Sequence, residues 1–164
     1  MTLTRETLIS KCQNYRYLLW REWGGRDEKK PYVLFIGLNP STADETIDDP
    51  TIRRCINFVK LWGYESLCMA NLFAYRATDP KELDSADEPI GELNNKYLRD
   101  AIKEAEIIVL AWGNKGSFID RDKDVIQLLT RKANCLGMTN KNQPKHPLYI
   151  KADQELIEFK NAKK

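Results

Sequence analysis

The sequence predicts an α/β protein, a three-layer α/β/α sandwich with a mainly parallel central sheet and one antiparallel strand near the N-terminus. Two observations lead to this class. Short apolar segments typical of buried strands alternate along the chain with amphipathic segments of helical period. Residues 107–111 (IIVLA) are continuously apolar, as strands covered on both faces are. The length of 164 residues is that of a single domain.

The elements are predicted in chain order from these patterns. Residues 4–14 favour a short helix or an irregular lead-in, and the aromatic residues 15–23 favour a strand. Gly24, Gly25 and the charged run after them predict a turn into a strand at 32–36, which makes these two strands an antiparallel pair. Further strands are predicted at 66–73, 107–111 and 134–138, helices at 50–62, 91–106, 119–132 and 151–159, and a short helix or turn through Leu83.

Composition narrows the classes of function. The net charge of +2 does not indicate a general nucleic-acid binder, although a local basic face stays possible. No apolar run approaches the roughly 20 residues of a membrane span, and the N-terminus lacks the apolar core of a signal peptide. We therefore expect a cytoplasmic protein with no membrane partner. Its oligomeric state is left open.

Cysteine and histidine content argues against a metal centre. None of the four cysteines lies in a C-x-x-C pair, and in a cytosolic setting buried thiols are favoured over a disulfide framework or a scattered iron–sulfur site. The single histidine, His146, excludes a multi-histidine metal site. We expect neither a metal nor a cofactor.

Polar loops follow four of the predicted strands. In a parallel sheet the carboxyl ends of the strands share one edge, so these loops are expected to converge on one site. The first loop lacks the Gly-Lys-Ser/Thr ending of a phosphate-binding loop, and the chain has no G-x-S-x-G elbow. The loops contribute Gly37, Asn39, Pro40, Ser41, Thr42 and Asp44; Asn71, Phe73 and Arg76; Trp112 and Gly113; and residues 139–149 with His146.

Several of these residues have two interpretations. Asn39 either stabilises its own turn or acts in the site, since Asn side chains readily bond nearby backbone. Asp44 is either a solvated loop acid or a functional one. For Asp48 and Asp49 we favour helix capping, ahead of Pro50 at the first helical position. His146 lies between Lys145 and Pro147 in a loop poorly suited to a core histidine, and a functional role is favoured.

The aromatic and basic candidates are also open to two interpretations. Phe73 and Trp112 fit core or pocket-wall positions better than base-stacking platforms, because aromatic residues so often serve packing. Arg53 and Arg54 oppose the dipole of their helix, which a bound anion would relieve. A surface pair with Asp48 or Asp49 explains one of the two equally well.

The motifs LNPSTAD, DDPTIRRC, NLFAYRATDP, AWG and HPLY, in this order, closely resemble an uncharacterised bacterial and phage family, domain of unknown function 1643. The resemblance extends over about residues 15–149 and implies no established activity. Two positions depart from the family pattern. Asn94-Asn95 stands where the family usually has Asn-Asp, and Gln143 stands where it tends to have glycine.

A more distant likeness links two of the loops. The segment Ile36-Gly37-Leu38-Asn39-Pro40-Ser41 resembles the first motif of the uracil-DNA glycosylase superfamily, especially the Gly-x-Asn-Pro-Gly of its mismatch-specific branch. The segment HPLY at 146–149 is similar to the second motif, His-Pro-Ser-Pro. Ser41 stands in place of glycine, and Leu148-Tyr149 in place of Ser-Pro. The likeness implies a uracil-DNA glycosylase-like fold.

The activity implied by this likeness is hydrolysis of an N-glycosidic bond, with a nucleobase, nucleotide or DNA as partner. A flipped base would stack on Phe73 and be read by Asn71. Asn39 would orient a water, with Asp44 as an alternative base, and neutral His146 would donate to the departing base. Arg53, Arg54 or Arg76 would take phosphate. The alternative is a non-catalytic nucleotide or nucleic-acid binder on the same fold. An enzyme acting on another small molecule is also compatible with the sequence.

Overall fold

The protein is built on one mixed β-sheet. The computed structural model describes residues 4–24, 30–41, 43–44 and 47–160, and for residues 4–6 the backbone alone. In this part of the chain the sheet has seven strands in the order β1-β2-β4-β3-β5-β6-β7. Their bounds are β1 Thr4–Ile9, β2 Arg16–Glu22, β3 Val33–Gly37, β4 Ser66–Asn71, β5 Ile107–Leu110, β6 Asn134–Cys135 and β7 Ile157–Glu158.

The four strands at the centre are parallel to one another, and the strands outside them are antiparallel. β3 pairs with β4 and with β5, and β5 pairs with β6, all in parallel register. β1 and β2 extend the sheet at one edge and β7 at the other, through antiparallel pairs. The expectation of a mainly parallel sheet is therefore corrected to a mixed sheet, because both ends of the chain add antiparallel strands.

Helix α1 (Pro50–Leu61) forms as its sequence predicts. The carboxylate of Asp49 accepts a hydrogen bond from the Ile52 backbone N–H at 2.9 Å, so Asp49 is the N-cap. Gly63, just beyond the helix, has φ +85°, which a glycine adopts without strain. The buried face of α1 packs with the side chains of β3 and β4 that point to the same side of the sheet. Its members are Ile52, Cys55, Ile56, Phe58 and Val59.

Three helices contribute to the apolar cluster on the other side of the sheet. They are α2 (Glu82–Ser85), α3 (Asn94–Glu104) and α4 (Arg121–Ile126), and they bury Leu83, Leu98, Ile102 and Val125. α4 is shorter than the predicted helix at 119–132. It starts late because Ile119 and Asp120 have left-handed backbone, with φ +48° and +55°. It ends early because Leu128 and Leu129 donate to carbonyls three residues back, which tightens the chain out of the α-helix.

The ends of the chain differ from their predictions. Residues 4–9 form a strand rather than a helix or an irregular lead-in, and residues 151–159 contain β7 rather than a helix. β2 pairs with β1 and β4 instead of β3, because β4 and β5 already occupy both edges of β3. The predicted turn at residues 25–29 lies outside the described residues. Among those described, no helix is long and apolar enough to cross a membrane.

Candidate functional site

A cleft lies at the carboxyl ends of the central strands. β3 lies between β4 and β5 in the sheet. The chain runs from β3 through α1 to β4 on one side of β3, and from β4 through α3 to β5 on the other side. In open α/β sheets, ligands bind in the crevice where successive connections leave in opposite directions. The cleft has a volume of about 640 Å³, within the range of small-molecule sites. Its lining includes Leu38, Asn39, Ser41, Asp49, Thr51, Trp112, Gly113, Lys115, His146, Leu148 and Tyr149.

A small inner pocket shares part of this lining. Its volume is about 40 Å³, enough for a water-sized group but not for a ring. Asn39, Ser41, Asp49 and His146 line both spaces, so the pocket adjoins the floor of the cleft. The residues that line the pocket and not the cleft are Arg16, Gly37, Ile52, Met69 and Asn71.

The Asn39 side chain is held in one orientation. Its amide nitrogen donates to the carbonyl oxygens of Pro40 at 3.0 Å and Ala77 at 2.8 Å. Both N–H groups are then used, so the atom that the amide offers a ligand or water is the acceptor Oδ1. The two interpretations of Asn39 are thus compatible, because the bonds that stabilise its turn also orient the amide in the cleft.

His146 is neutral and carries its proton on Nε2. Its Nδ1 accepts a hydrogen bond from the Leu148 N–H at 3.3 Å, so Nδ1 is unprotonated. Burial lowers the pKa of the imidazole, and the nearby Asp49 charge offsets part of this shift. In this tautomer Nε2 is a hydrogen-bond donor.

The loop of His146 is fastened from two sides. The Nε of Arg54 in α1 donates to the carbonyl oxygen of Pro147 at 3.2 Å. The N–H of Gly113, after β5, donates to the carbonyl oxygen of Pro144 at 2.8 Å. Gly113 has φ +76° and ψ −173°, a conformation that favours glycine. Arg54 therefore positions the loop, and its guanidinium also lies 5.4 Å from the ring centre of Phe58.

Arg16 lines the inner pocket and Asp49 lines both the pocket and the cleft, and the sequence did not identify either residue as functional. Arg16 is the first residue of β2 and is 2% exposed. Its Nη1 donates to the Ala43 carbonyl oxygen at 3.0 Å, while Nε has no hydrogen-bond partner within the described chain. Burial lowers the pKa of Arg16 to about 10, with Asp49 as the largest opposing charge, so the guanidinium stays charged at neutral pH. Asp49 caps α1 and also lines the pocket and the cleft.

Asn71 completes the floor of the inner pocket. It ends β4, is 2% exposed, and its Nδ2 lacks a partner among the described residues. Buried amides are nearly always hydrogen-bonded, so such an atom calls for a bound group. The position of Asn71 also explains Gly37, because a Cβ on Gly37 would come within 2.9 Å of the Asn71 Oδ1 and 2.7 Å of the Met69 methyl.

Some predicted site residues lie away from the cleft. Asp44 accepts from the Ile47 N–H at 2.9 Å and caps its own turn. Phe73 is fully buried and packs against Phe118 at 5.7 Å, so the stacking role is excluded in this conformation and the packing interpretation holds. Arg76 donates to the Gln13 carbonyl oxygen at 3.3 Å.

Each of the remaining described candidates either bonds to the backbone or lines the cleft. Arg53 donates to the carbonyl oxygen of Asp48 at 2.8 Å, outside the cleft lining. Pro40 offers its carbonyl oxygen to Asn39 and to the Ala77 N–H. Trp112 is 1% exposed and forms part of the cleft wall. Thr42 lies outside the described residues.

Tyr149 is an exposed aromatic side chain at the mouth of the cleft. It is 83% exposed, and its ring centre lies 5.8 Å from that of His146. It also lines a neighbouring groove of about 530 Å³ together with Lys141 and Lys145. The sequence signal for this surface is the HPLY motif itself, which places an aromatic residue three positions after the histidine.

No metal-binding cluster is found in the part of the chain that the structure describes, where a cluster means three or more His, Cys, Asp or Glu side chains. Cys55, Cys68 and Cys135 are buried as free thiols, and Cys12 is an exposed free thiol.

Comparison with known proteins finds one family. The family described as "Protein of unknown function (DUF1643)" matches residues 16–148, well over half of the chain. The match begins at Arg16 and includes both the Asn39 loop and His146. No curated protein and no solved structure matches the chain.

Proposed function

Because this chain belongs to the DUF1643 family of proteins of unknown function, we propose an activity from its cleft: hydrolysis of an N-glycosidic bond in a nucleotide or DNA. The observation that carries this proposal is the meeting of Asn39 and His146, which lie far apart in sequence and line the same pocket and cleft. One presents an acceptor that can hold a water, and the other a neutral donor.

The fold is consistent with a relationship to the uracil-DNA glycosylase superfamily. The parallel strands β4-β3-β5-β6 lie at the centre of the sheet, and helices contribute to apolar clusters on both of its sides. These features support our interpretation of the protein as a three-layer sandwich of that type, extended by antiparallel edge strands.

In the proposed reaction, Asn39 Oδ1 holds a water near the anomeric carbon of the sugar. The Asp49 carboxylate takes a proton from this water as the new C–O bond forms. The C–N bond to the base breaks, and its electron pair leaves with the base. The Nε2–H of His146 donates a hydrogen bond to the departing base and stabilises its developing negative charge. The base then gains a proton from solvent. Asp49 takes the role that the sequence analysis gave to Asp44, because Asp49 lines the cleft and Asp44 does not.

The base and the phosphate groups need contacts different from those first expected. Phe73 is buried, so Tyr149 is the exposed aromatic side chain of the cleft lining, and Trp112 is a buried residue of its wall. Arg53 and Arg54 donate to backbone carbonyls and do not line the cleft. Lys115 lines the cleft and pairs with Asp84 at 2.6 Å, and Lys141 and Lys145 line the adjoining groove. We propose that phosphate binds along these lysines.

Cleavage assays test this proposal. The folded protein is incubated with single- and double-stranded DNA that contains uracil, mismatched or modified bases, and with free nucleosides and nucleotides. We expect release of a base from at least one substrate. His146→Ala should then lower kcat by about 10²–10³-fold, the usual effect of losing one donor to a developing anion. Lys96→Ala, which changes an exposed side chain on α3, is the control. Absence of turnover on every substrate by folded protein contradicts the hydrolase proposal.

A non-catalytic binder of nucleotides or nucleic acid is the second candidate. The exposed Tyr149 and the lysine-lined groove favour it, because stacking and charge bind strands without base chemistry. It predicts a rise in melting temperature with DNA, lost on raising salt, with no product formed. An enzyme acting on another small molecule predicts neither result.

A further inference from the structure

A second cavity lies apart from the cleft and contains a buried carboxylate. Its volume is about 360 Å³, the size of a small-molecule site. Asp122 lines it and is only 7% exposed. Only Trp112 lines both this cavity and the cleft, so the other lining residues are separate from the cleft, although Met138 also lines the groove beside Tyr149. They include Lys123, Ile126, Gln127, Met138, Gln143, Pro144, Phe159 and Lys160.

One oxygen of Asp122 is bonded and the other is not. Oδ2 accepts from the Gln143 Nε2 at 3.1 Å, whereas Oδ1 has no hydrogen-bond partner in the described residues. Gln143 in turn accepts from the Trp112 Nε1 at 2.8 Å, so its amide is fixed and cannot rotate to serve both oxygens. A buried carboxylate oxygen without a donor is costly, and a ligand that supplies a donor or a positive charge relieves that cost.

The rest of the cavity lining indicates what kind of ligand supplies a donor to Asp122. Trp112, Met138 and Phe159 give an apolar and aromatic lining, which suits an alkyl stem and a cation near an aromatic face. Lys123 and Lys160 are exposed residues of the same lining. The Nζ of Lys123 is already paired with Asp120 at 3.4 Å. Lys160, at the solvent side of the cavity, suits an acidic group of the ligand.

We propose that this cavity binds a small zwitterion, with a guanidinium or ammonium group on Asp122 and an acidic group near Lys160. Amino acids with a basic side chain have this chemistry. The site stands independently of the reaction proposed for the cleft. Gln143 is essential to it, because its amide fixes one carboxylate oxygen and leaves the other for the ligand.

The cavity and the cleft share one wall. Trp112 lines both spaces and is joined to Asp122 through Gln143. Pro144, another lining residue, accepts from the Gly113 N–H beside the cleft. A ligand on Asp122 therefore binds next to the contacts that hold the His146 loop.

Calorimetry and thermal unfolding with three probes test the proposal. L-Arginine carries both charges, agmatine only the cationic end, and glutarate only acidic ends. We expect saturable binding and a higher melting temperature with arginine, weaker binding with agmatine, and none with glutarate. Asp122→Asn should reduce arginine affinity by at least about tenfold, the factor that 1.4 kcal/mol represents. Asp124→Asn, an exposed acid on the same helix, should bind as the wild type does.

Two results overturn the proposal. One is the absence of saturable arginine binding to the wild-type protein, and the other is equal binding by a folded Asp122→Asn variant. If Asp122→Asn does not fold, Gln127→Tyr replaces it, because an aromatic ring at this exposed lining position fills the cavity and leaves Asp122 unchanged. Equal binding by Gln127→Tyr then overturns the proposal as well. Base release in the cleft is measured separately, so failure here does not bear on that activity.

Discussion

The guanidinium of Arg54 reaches from helix α1 to the carbonyl oxygen of Pro147, 3.2 Å away, and so links the two halves of the cleft. Asn39 precedes this helix in the chain, and His146 precedes the proline. The position of His146 therefore depends on a residue that lines neither the inner pocket nor the cleft.

Removing this hydrogen bond should affect ligand binding in the cleft more than it affects the stability of the fold. Arg54→Ala deletes one charge-assisted hydrogen bond and the contact with Phe58, and we expect about 1–3 kcal/mol less stability in urea unfolding. Ligand binding or turnover in the cleft should fall as the His146 loop loses its anchor. Arg53→Ala is the matched control, since the Arg53 guanidinium donates next to its own helix, to the Asp48 carbonyl oxygen, and does not line the cleft. Equal effects of both variants on the cleft would contradict the positioning role.

Two buried arginines on β2 should lose very different amounts of stability on the same substitution. Arg21 has an ion pair with Asp48 at 2.8 Å and donates to the carbonyl oxygens of Trp20, Asp44 and Ile47. Arg21→Met removes this ion pair and these hydrogen bonds at once, and should cost about 3–5 kcal/mol.

Arg16→Met should be much less harmful to stability, because a buried cation whose Nε has no acceptor in the described part of the chain already opposes folding. Ligand binding in the cleft should nevertheless fall in this variant. Denaturant unfolding of the two variants side by side checks both expectations. A loss for Arg16→Met as large as that for Arg21→Met would show that Arg16 is a structural residue.

Stability should depend on the protonation of His146. Burial lowers the pKa of His146 below the ordinary 6.5, so the unfolded chain takes up the proton first as pH falls. The resulting contribution to stability is fully present above pH 6.5 and is lost as pH falls through the lowered pKa. Urea unfolding should therefore show a steeper decline on acidification for the wild type than for His146→Gln. The chain has a single histidine, so its NMR titration is unambiguous. A titration midpoint at or above 6.5 would contradict this account.

Thiol labelling should distinguish one cysteine from the other three. Cys12 is exposed, and hydrogen bonding, chiefly from Ser10, lowers its pKa. Burial raises the pKa of Cys55, Cys68 and Cys135. Because the thiolate is the reactive form, a disulfide reagent should modify one thiol rapidly in the native protein and the rest only after unfolding. Cys12→Ser should abolish the rapid phase. Rapid reaction of a second thiol would show that one of the buried cysteines opens readily.

The sequence by itself determined the helix and strands that depend on short-range signals. The helix from Pro50, its Asp49 cap and Gly63 follow from short-range capping and apolar periodicity, and the central strands follow from continuous apolar segments. The sequence also singled out the Asn39 and His146 loops, because proline and polar residues after strands are visible without knowledge of the fold.

Only the tertiary structure decided which residues meet. β2 could not be assigned its partner from sequence, since pairing depends on which strand edges other strands already occupy. Asp49 lines the cleft and Asp44 does not, because the Asp44 side chain accepts from the Ile47 N–H, whereas Asp49 lies at the start of α1. Arg16 and Arg21 became buried because β2 lies inside the sheet rather than at its edge. Only long-range packing shows that each side-chain nitrogen of Arg21 has an acceptor, whereas the Arg16 Nε has none among the described residues.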